Sequence, residues 1–264
     1  MQLKERLALV NSKGFMPESK FGQNFLCDEE IIGSIVGLCE LKKDDKVLEI
    51  GPGLGSISFP ISELTDDFTV VEIDKRLASF LKDEFCLNAN VITSDFLKLN
   101  DYGADKTDVV VSNLPYYVMT DIMKKLFDEC VNARKMVFMV EKDALARIMA
   151  QPGTKQYGPL SVLVSLYGDA KLEFDVPRNC FIPAPNTTSC VISLTSGGSK
   201  IPGGFVKFVN KAFAMRRKKL VNNIKDAGSV LDKLGLDVSV RAEQLTPAQF
   251  LDLYNAIIEN AHKG

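Results

Sequence analysis

Val47-Leu48-Glu49-Ile50-Gly51-Pro52-Gly53-Leu54-Gly55 decides the fold. The first four residues form a short, mostly apolar run suited to a buried strand. The alternating glycines let the backbone turn sharply and pass close to a ligand before a helix begins. Ser56 stands where the dinucleotide fingerprint G-x-G-x-x-G needs its third glycine, which disfavours a nicotinamide cofactor. Outward from this turn, apolar runs at 69–73, 90–93, 109–111 and 136–140 alternate with helical spacing at 57–64, 76–85 and 120–130. That alternation is the signature of an α/β domain. Two later β-like stretches, 170–176 and 190–195, close the sheet as an antiparallel hairpin, for about seven strands in all.

The 264 residues exceed the roughly 250 at which single cores usually stop growing, so two domains are expected. Ser196-Gly197-Gly198-Ser199-Lys200-Ile201-Pro202-Gly203-Gly204 reads as the connector, placing an α/β domain with an N-terminal helical extension at 1–197 and a helical domain at 198–264. Helices are predicted at 205–214, 216–227, 230–234, 239–241 and 246–260, the last opened by Thr246-Pro247.

No apolar run approaches the roughly 18 residues of a membrane span, and the first six residues lack the apolar block of a signal peptide, so a cytoplasmic chain with no membrane partner is expected. Six scattered cysteines without a C-x-x-C pair, and His262 as the single histidine, give neither zinc spacing nor a disulfide framework. No metal is expected. The sequon-like Asn186-Thr187-Thr188 is set aside for want of a secretory signal. A net charge of −2 argues weakly against a nucleic-acid partner. Its distribution argues the other way: Lys200, Lys207, Lys211, Arg216, Arg217, Lys218, Lys219 and Lys225 fall in one stretch that has no Asp or Glu.

Three strand ends then combine. Glu72, about 20 residues past the glycine turn, is placed to accept hydrogen bonds from both hydroxyls of a ribose. Asp95, in Ser94-Asp95-Phe96, is placed to accept from an adenine amino group while Phe96 covers the ring; Gly51 and Gly53 give the close backbone approach. Asn113-Leu114-Pro115-Tyr116 follows the fourth strand. An adenine amino group is a poor nucleophile because its lone pair is delocalised. Acceptance of its two N–H bonds by the Asn113 side-chain oxygen and the Leu114 carbonyl favours a pyramidal nitrogen with the lone pair aimed at a methyl donor. Tyr116 offers an aromatic face for an unstacked base.

Together with Phe21-Gly22-Gln23-Asn24-Phe25-Leu26, Glu72-Ile73-Asp74, Phe181-Ile182-Pro183-Ala184-Pro185 and Arg216-Arg217-Lys218-Lys219-Leu220, these motifs resemble the ribosomal RNA adenine N6,N6-dimethyltransferase family, in order from about residue 20 to 225. The resemblance implies a class I S-adenosylmethionine-dependent methyltransferase, with a Rossmann-like seven-strand sheet and a small all-helical C-terminal domain. It implies dimethylation of two adjacent adenosines near the 3′ end of 16S ribosomal RNA, in the small subunit or its precursor; a monomer is expected. Carried over by motif, Asn24, Leu26, Gly51, Glu72, Asp95 and Asn113 border S-adenosylmethionine, and Phe181 sandwiches the target base with Tyr116. Arg216, Arg217, Lys218 and Lys219 are expected on the RNA, helped by Lys4, Arg6, Lys13 and Lys20. The chain departs from the family at Asn186-Thr187-Thr188, where a basic residue, Val and Asp are usual. Two rivals stay open: the related large-subunit enzyme that confers antibiotic resistance, and a non-catalytic ribosome assembly factor on the same scaffold.

Overall fold

The computed structural model describes residues 3–18, 22–115 and 117–263. Nine strands are present among them: β1 Phe25–Leu26, β2 Lys46–Ile50, β3 Asp67–Glu72, β4 Asn90–Thr93, β5 Val109–Asn113, β6 Lys135–Glu141, β7 Gly168–Val176, β8 Phe181–Ile182 and β9 Ser189–Ser196. Seven form one sheet in the order β4-β3-β2-β5-β6-β9-β7. β2, β3, β4, β5 and β6 pair in parallel, and β9 turns antiparallel against β6, with Met136 opposite Leu194 and Val140 opposite Cys190. Val109, Val110 and Val111 of β5 and Met136 to Val140 of β6 are buried throughout, as expected for inner strands with both faces covered.

The chain divides into two compact units, Met1–Lys142 with Ala170–Ser196 and Asp143–Asp169 with Gly197–Gly264. In the first, the sheet carries α1 Leu3–Ser12, α2 Glu29–Leu38, α3 Ser58–Ser62, α4 Lys75–Ser79 and α5 Met119–Glu129. Side chains of Asp28 and Asp74 cap α2 and α4 by accepting the N–H bonds of Ile31 and Arg76. The helix predicted at 76–85 changes character part-way, since α4 runs into a π-helical turn at Phe80–Glu84. β1 and β8, which no sequence pattern announced, make a separate antiparallel ribbon pairing Leu26 with Phe181.

The second unit holds α6 Leu145–Ile148, α7 Pro159–Tyr167, α8 Phe205–Ala212, α9 Leu220–Asn223, α10 Gly228–Leu231 and α11 Pro247–Lys263. It departs from a single break at 197/198, because residues 143–169 fold with the tail. The buried Tyr157 shows why. Its hydroxyl donates to the Leu245 carbonyl at 2.9 Å, and its ring meets Phe213 edge-on at 6.0 Å.

The helix predicted over 216–227 is a correction as well: residues 213–217 form turns and α9 begins only at Leu220. Asn223 satisfies the backbone groups of this turn. Its buried amide donates to the Ala212 carbonyl at 2.7 Å and accepts the Met215 N–H at 3.2 Å. The turn predicted as helical at 239–241 likewise precedes a 3-10 turn at Ala242–Gln244. Replacing Asn223 by Ala strips the turn of these partners, and denaturant unfolding is expected to show a loss of about 1–3 kcal/mol.

Candidate active site

Strand order reverses between β2 and β5. The chain leaves β2 toward β3 and β4, then returns to β2's other side, opening a crevice at the carboxyl ends of the two central strands. The glycine turn follows β2, and Asn113 ends β5. Gly53 has φ +57°, and an added Cβ would sit 3.2 Å from the Phe25 ring; at Gly55, φ +75°, it would sit 2.7 Å from Phe59. Side chains are excluded there both by conformation and by space.

Asn24, Leu26, Gly51, Gly53, Glu72 and Asn113 line one cleft. Glu72 reaches back across the turn. Its carboxyl oxygens accept the N–H bonds of Gly53 at 3.0 Å and Asp74 at 2.9 Å. Asp95 and Phe96 line an adjoining hollow that shares Gly51, Ile73 and Pro115 with the first. Asp95 also caps the following turn by accepting the Leu97 N–H, so it is both a cap and a cleft residue. The buried Phe96 ring meets Tyr102 edge-on at 5.1 Å.

A third hollow opens beside Asn113, Leu114 and Pro115, and Phe181 forms part of its wall. The β1–β8 pairing carries Phe181 to this place, alongside Leu26. Asn113 Nδ2 donates to the Asn24 carbonyl at 3.4 Å, and the Leu114 N–H donates to Met139 at 3.0 Å. Both acceptor groups expected at the reacting nitrogen are thus held from behind. Tyr116, like Phe21 and Lys20, lies outside the described residues. Tyr117, which the sequence reading did not select, lines two of the hollows and is 62% exposed.

The family profile described as ribosomal RNA adenine dimethylase matches residues 14–259. The chain belongs to this family. It is 39% identical to the ribosomal RNA small subunit methyltransferase A of Pseudoalteromonas translucida, over 94% of this chain and 97% of that protein. The protein of the same name from Natranaerobius thermophilus is 35% identical over 96% of each. Among solved structures, a dimethyladenosine transferase from Plasmodium falciparum superposes with a TM-score of 0.74 at 23% identity, over 90% of this chain and 98% of that one. The 23S rRNA methyltransferase ErmE gives 0.60, also at 23% identity, over 89% and 100%. At these identities the likeness to the two structures is one of fold. The fold is that of the class I methyltransferases, as the sequence led one to expect.

For a dimethylase of this family the electrostatics of the cleft are informative. Glu49 and Glu72 both line it and both are buried. Burial pushes Glu49 up to about 8, the Ser58 hydroxyl offsetting part and Glu72 adding to it; burial likewise raises Glu72 to about 7 against the pull of backbone N–H donors. Glu49 Oε2 has no hydrogen-bond partner among the described residues. Sequence reasoning quoted Glu49 but gave it no role; the available signal was a carboxylate inside an otherwise apolar strand.

The cations sort differently from expectation. Arg6 is buried with its guanidinium 4.2 Å over the Phe59 ring and its Nη2 3.5 Å from the Gly55 carbonyl, and burial lowers its pKa to about 10. It braces the glycine turn, and burial leaves it little surface for a phosphate. Lys13 pairs with Glu84. In the second unit Arg216 turns inward, to Glu243 at 2.7 Å and to the carbonyls of Lys155 and Thr154 at 2.6 and 2.9 Å. Arg217, Lys218 and Lys219 instead line an open concavity, joined by Arg241, Asn222 and Gln244. Arg241 escaped the sequence reading because it lies outside the basic run.

A carboxyl whose folded pKa is raised binds more protons folded than unfolded, so stability falls as pH rises from about 4.5 toward 8 for Glu49. Glu49→Gln is therefore expected to raise the unfolding midpoint of the ligand-free protein at pH 8.5. The difference shrinks toward zero near pH 4.5, as paired denaturant titrations would show.

Proposed function

We propose that this chain dimethylates N6 of two adjacent adenosines near the 3′ end of 16S ribosomal RNA, in the small subunit or its precursor, with S-adenosylmethionine as methyl donor. The observation that carries the reading is the convergence of Glu72, Asn113 and Phe181 around one switch-point crevice in a chain of the adenine dimethylase family. The resemblance in the name and length of its small-subunit relatives supports that substrate over large-subunit RNA.

The cleft fits the cofactor chemically. Gly51 and Gly53 leave the backbone open to close approach, Glu72 suits the ribose hydroxyls, Asp95 the adenine amino group, and the partnerless Glu49 oxygen suits an ammonium. Asn24 and Leu26 close the near side. S-adenosylmethionine supplies, when bound, a methyl group on a positively charged sulfur. Asn113 Oδ1 and the Leu114 carbonyl accept the two N–H bonds of the target amino group and hold its lone pair out of conjugation. Asn113 is suited to this because its Nδ2 is already engaged by Asn24, leaving the oxygen to offer. Phe181, with Tyr116, holds the flipped ring by stacking. No general base is needed before attack, since the amino proton departs after the C–N bond has formed; positioning and electrostatics carry the rate.

Methyl transfer from labelled S-adenosylmethionine to small subunits lacking their natural methylation tests the reading. Wild type is expected to form N6,N6-dimethyladenosine, and Asn113→Ala to lose about 10²-fold or more in kcat. Label confined to large-subunit RNA would replace the proposal with the resistance-type reaction, and binding without transfer would replace it with an assembly role. The concavity of Arg217, Lys218, Lys219 and Arg241 is the proposed phosphate contact. Neutralising any one of the four is expected to flatten the dependence of log binding constant on log salt by about 0.9 per contact removed. Arg216→Gln is expected to lower thermal stability instead, because its partners are internal.

A further inference from the structure

Asn24 and Glu72 both border the cofactor cleft, and a run of hydrogen bonds outside the expected ligand contacts ties them together. Gln23, beside Asn24, is held at both ends of its amide: Oε1 accepts the Glu18 N–H at 2.7 Å, and Nε2 donates to Asp74 Oδ2 at 2.9 Å. Asp74 is itself buried and fully committed. Its Oδ1 caps α4 at the Arg76 N–H, and the carboxylate takes the Arg76 guanidinium at 3.1 and 2.7 Å; Arg76 also reaches Glu18 at 2.6 Å. The Asp74 N–H donates to Glu72. From the other end, the Asn24 carbonyl accepts Asn113 Nδ2.

That last contact has chemical weight. A side-chain amide turned by 180° exchanges its acceptor for a donor, and Asn113 so turned would present N–H to the target's own N–H bonds. What keeps the oxygen toward the base is a carbonyl acceptor in a fixed place behind Nδ2. The Asn24 carbonyl is that acceptor, and its place is set by the neighbouring Gln23 latched onto Asp74.

The geometry points to Gln23 and Asp74 as positioning residues for methyl transfer: their amide–carboxylate contact holds residues 22–24 beside the cleft and so couples the Glu72 end of the site to the orientation of Asn113. The inference rests on the methyl-transfer reading above and adds to it two residues that act through others.

A polarity swap tests it. Gln23→Glu sets two carboxylates against each other, and kcat is expected to fall on the order of 10²-fold, as for a comparable misplacement of reacting groups. Adding Asp74→Asn restores a matched pair: the amide introduced at position 74 donates to the carboxylate introduced at position 23, while the amide oxygen keeps the α4 cap and the Arg76 Nε contact and only the Arg76 Nη2 contact is given up. The double variant is expected to recover kcat by about tenfold or more over Gln23→Glu, a large non-additivity for residues in direct contact. Rates are measured with the full chain on undermethylated small subunits, per cofactor site titrated with S-adenosylhomocysteine, so that partial unfolding does not register as lost kcat. Unchanged kcat in Gln23→Glu, or a loss that the second substitution does not rescue, overturns the inference. Wild type that binds S-adenosylhomocysteine but transfers no methyl to the RNA instead overturns the reading beneath it; the swap is then scored on S-adenosylhomocysteine affinity, where absence of rescue again counts against the latch.

Discussion

The parallel pairing of β2 with β5 is the contact on which the rest of the site depends. Its register sets Ile50 beside Ser112, reinforced by the Ser112 hydroxyl donating to the Ile50 carbonyl at 2.5 Å. With about 3.3 Å of rise per residue, that register decides whether the glycine turn after Ile50 and the amide of Asn113 emerge side by side. The chain crosses from one half of the sheet to the other at this pair, which opens the crevice between the two strand ends. Glu72 ends β3 and Asp95 follows β4 on one side of the pair, and Asn113 ends β5 on the other, while Leu26 and Phe181 come from the β1–β8 ribbon. What the two sides share is this single strand pair.

The site holds its ligands at a cost in stability. Glu49 and Glu72 are acids in a largely dry crevice, each raised by burial, and an apolar residue at either place would fold more comfortably. The two acids differ in what they are given: both Glu72 oxygens accept backbone N–H bonds, whereas Glu49 Oε2 has no hydrogen-bond partner among the described residues. The loop from Gln23 to Leu26 is treated in the opposite way. There polar groups are tied down: Gln23 to Asp74, Asn24 to Gly22, and the Leu26 carbonyl to the Ser56 hydroxyl at 2.7 Å.

The second unit shows the same division of labour among its cations. Arg216 has the planar fork needed to bind two carbonyls and a carboxylate together, and it is used internally. Its neighbours Arg217, Lys218 and Lys219 are thereby turned outward with Arg241. A motif that reads as four equivalent charges is in three dimensions one brace and three cations that line an open concavity.

Much of the fold was legible in local pattern. Strands β2, β5 and β6 are nearly continuous buried runs, α5 carries its apolar residues on one face, and the glycine turn, Glu72, Asp95 and Asn113 stand at strand ends where an α/β sheet collects its ligands. Such features depend on neighbours within one element or the next, so sequence alone determined the sheet, the crevice and most residues that line it. Tertiary structure decided the rest. It paired β1 with β8 and so brought Phe181 beside Leu26, joined residues 143–169 to the tail through Tyr157 and Leu245, replaced a predicted helix by a turn built on Asn223, and buried Arg6 against Phe59. Each of these outcomes is set by a partner many residues away, and periodicity carries no record of such a partner. It shows which face of an element is apolar or charged, but only the packed chain settles what that face meets.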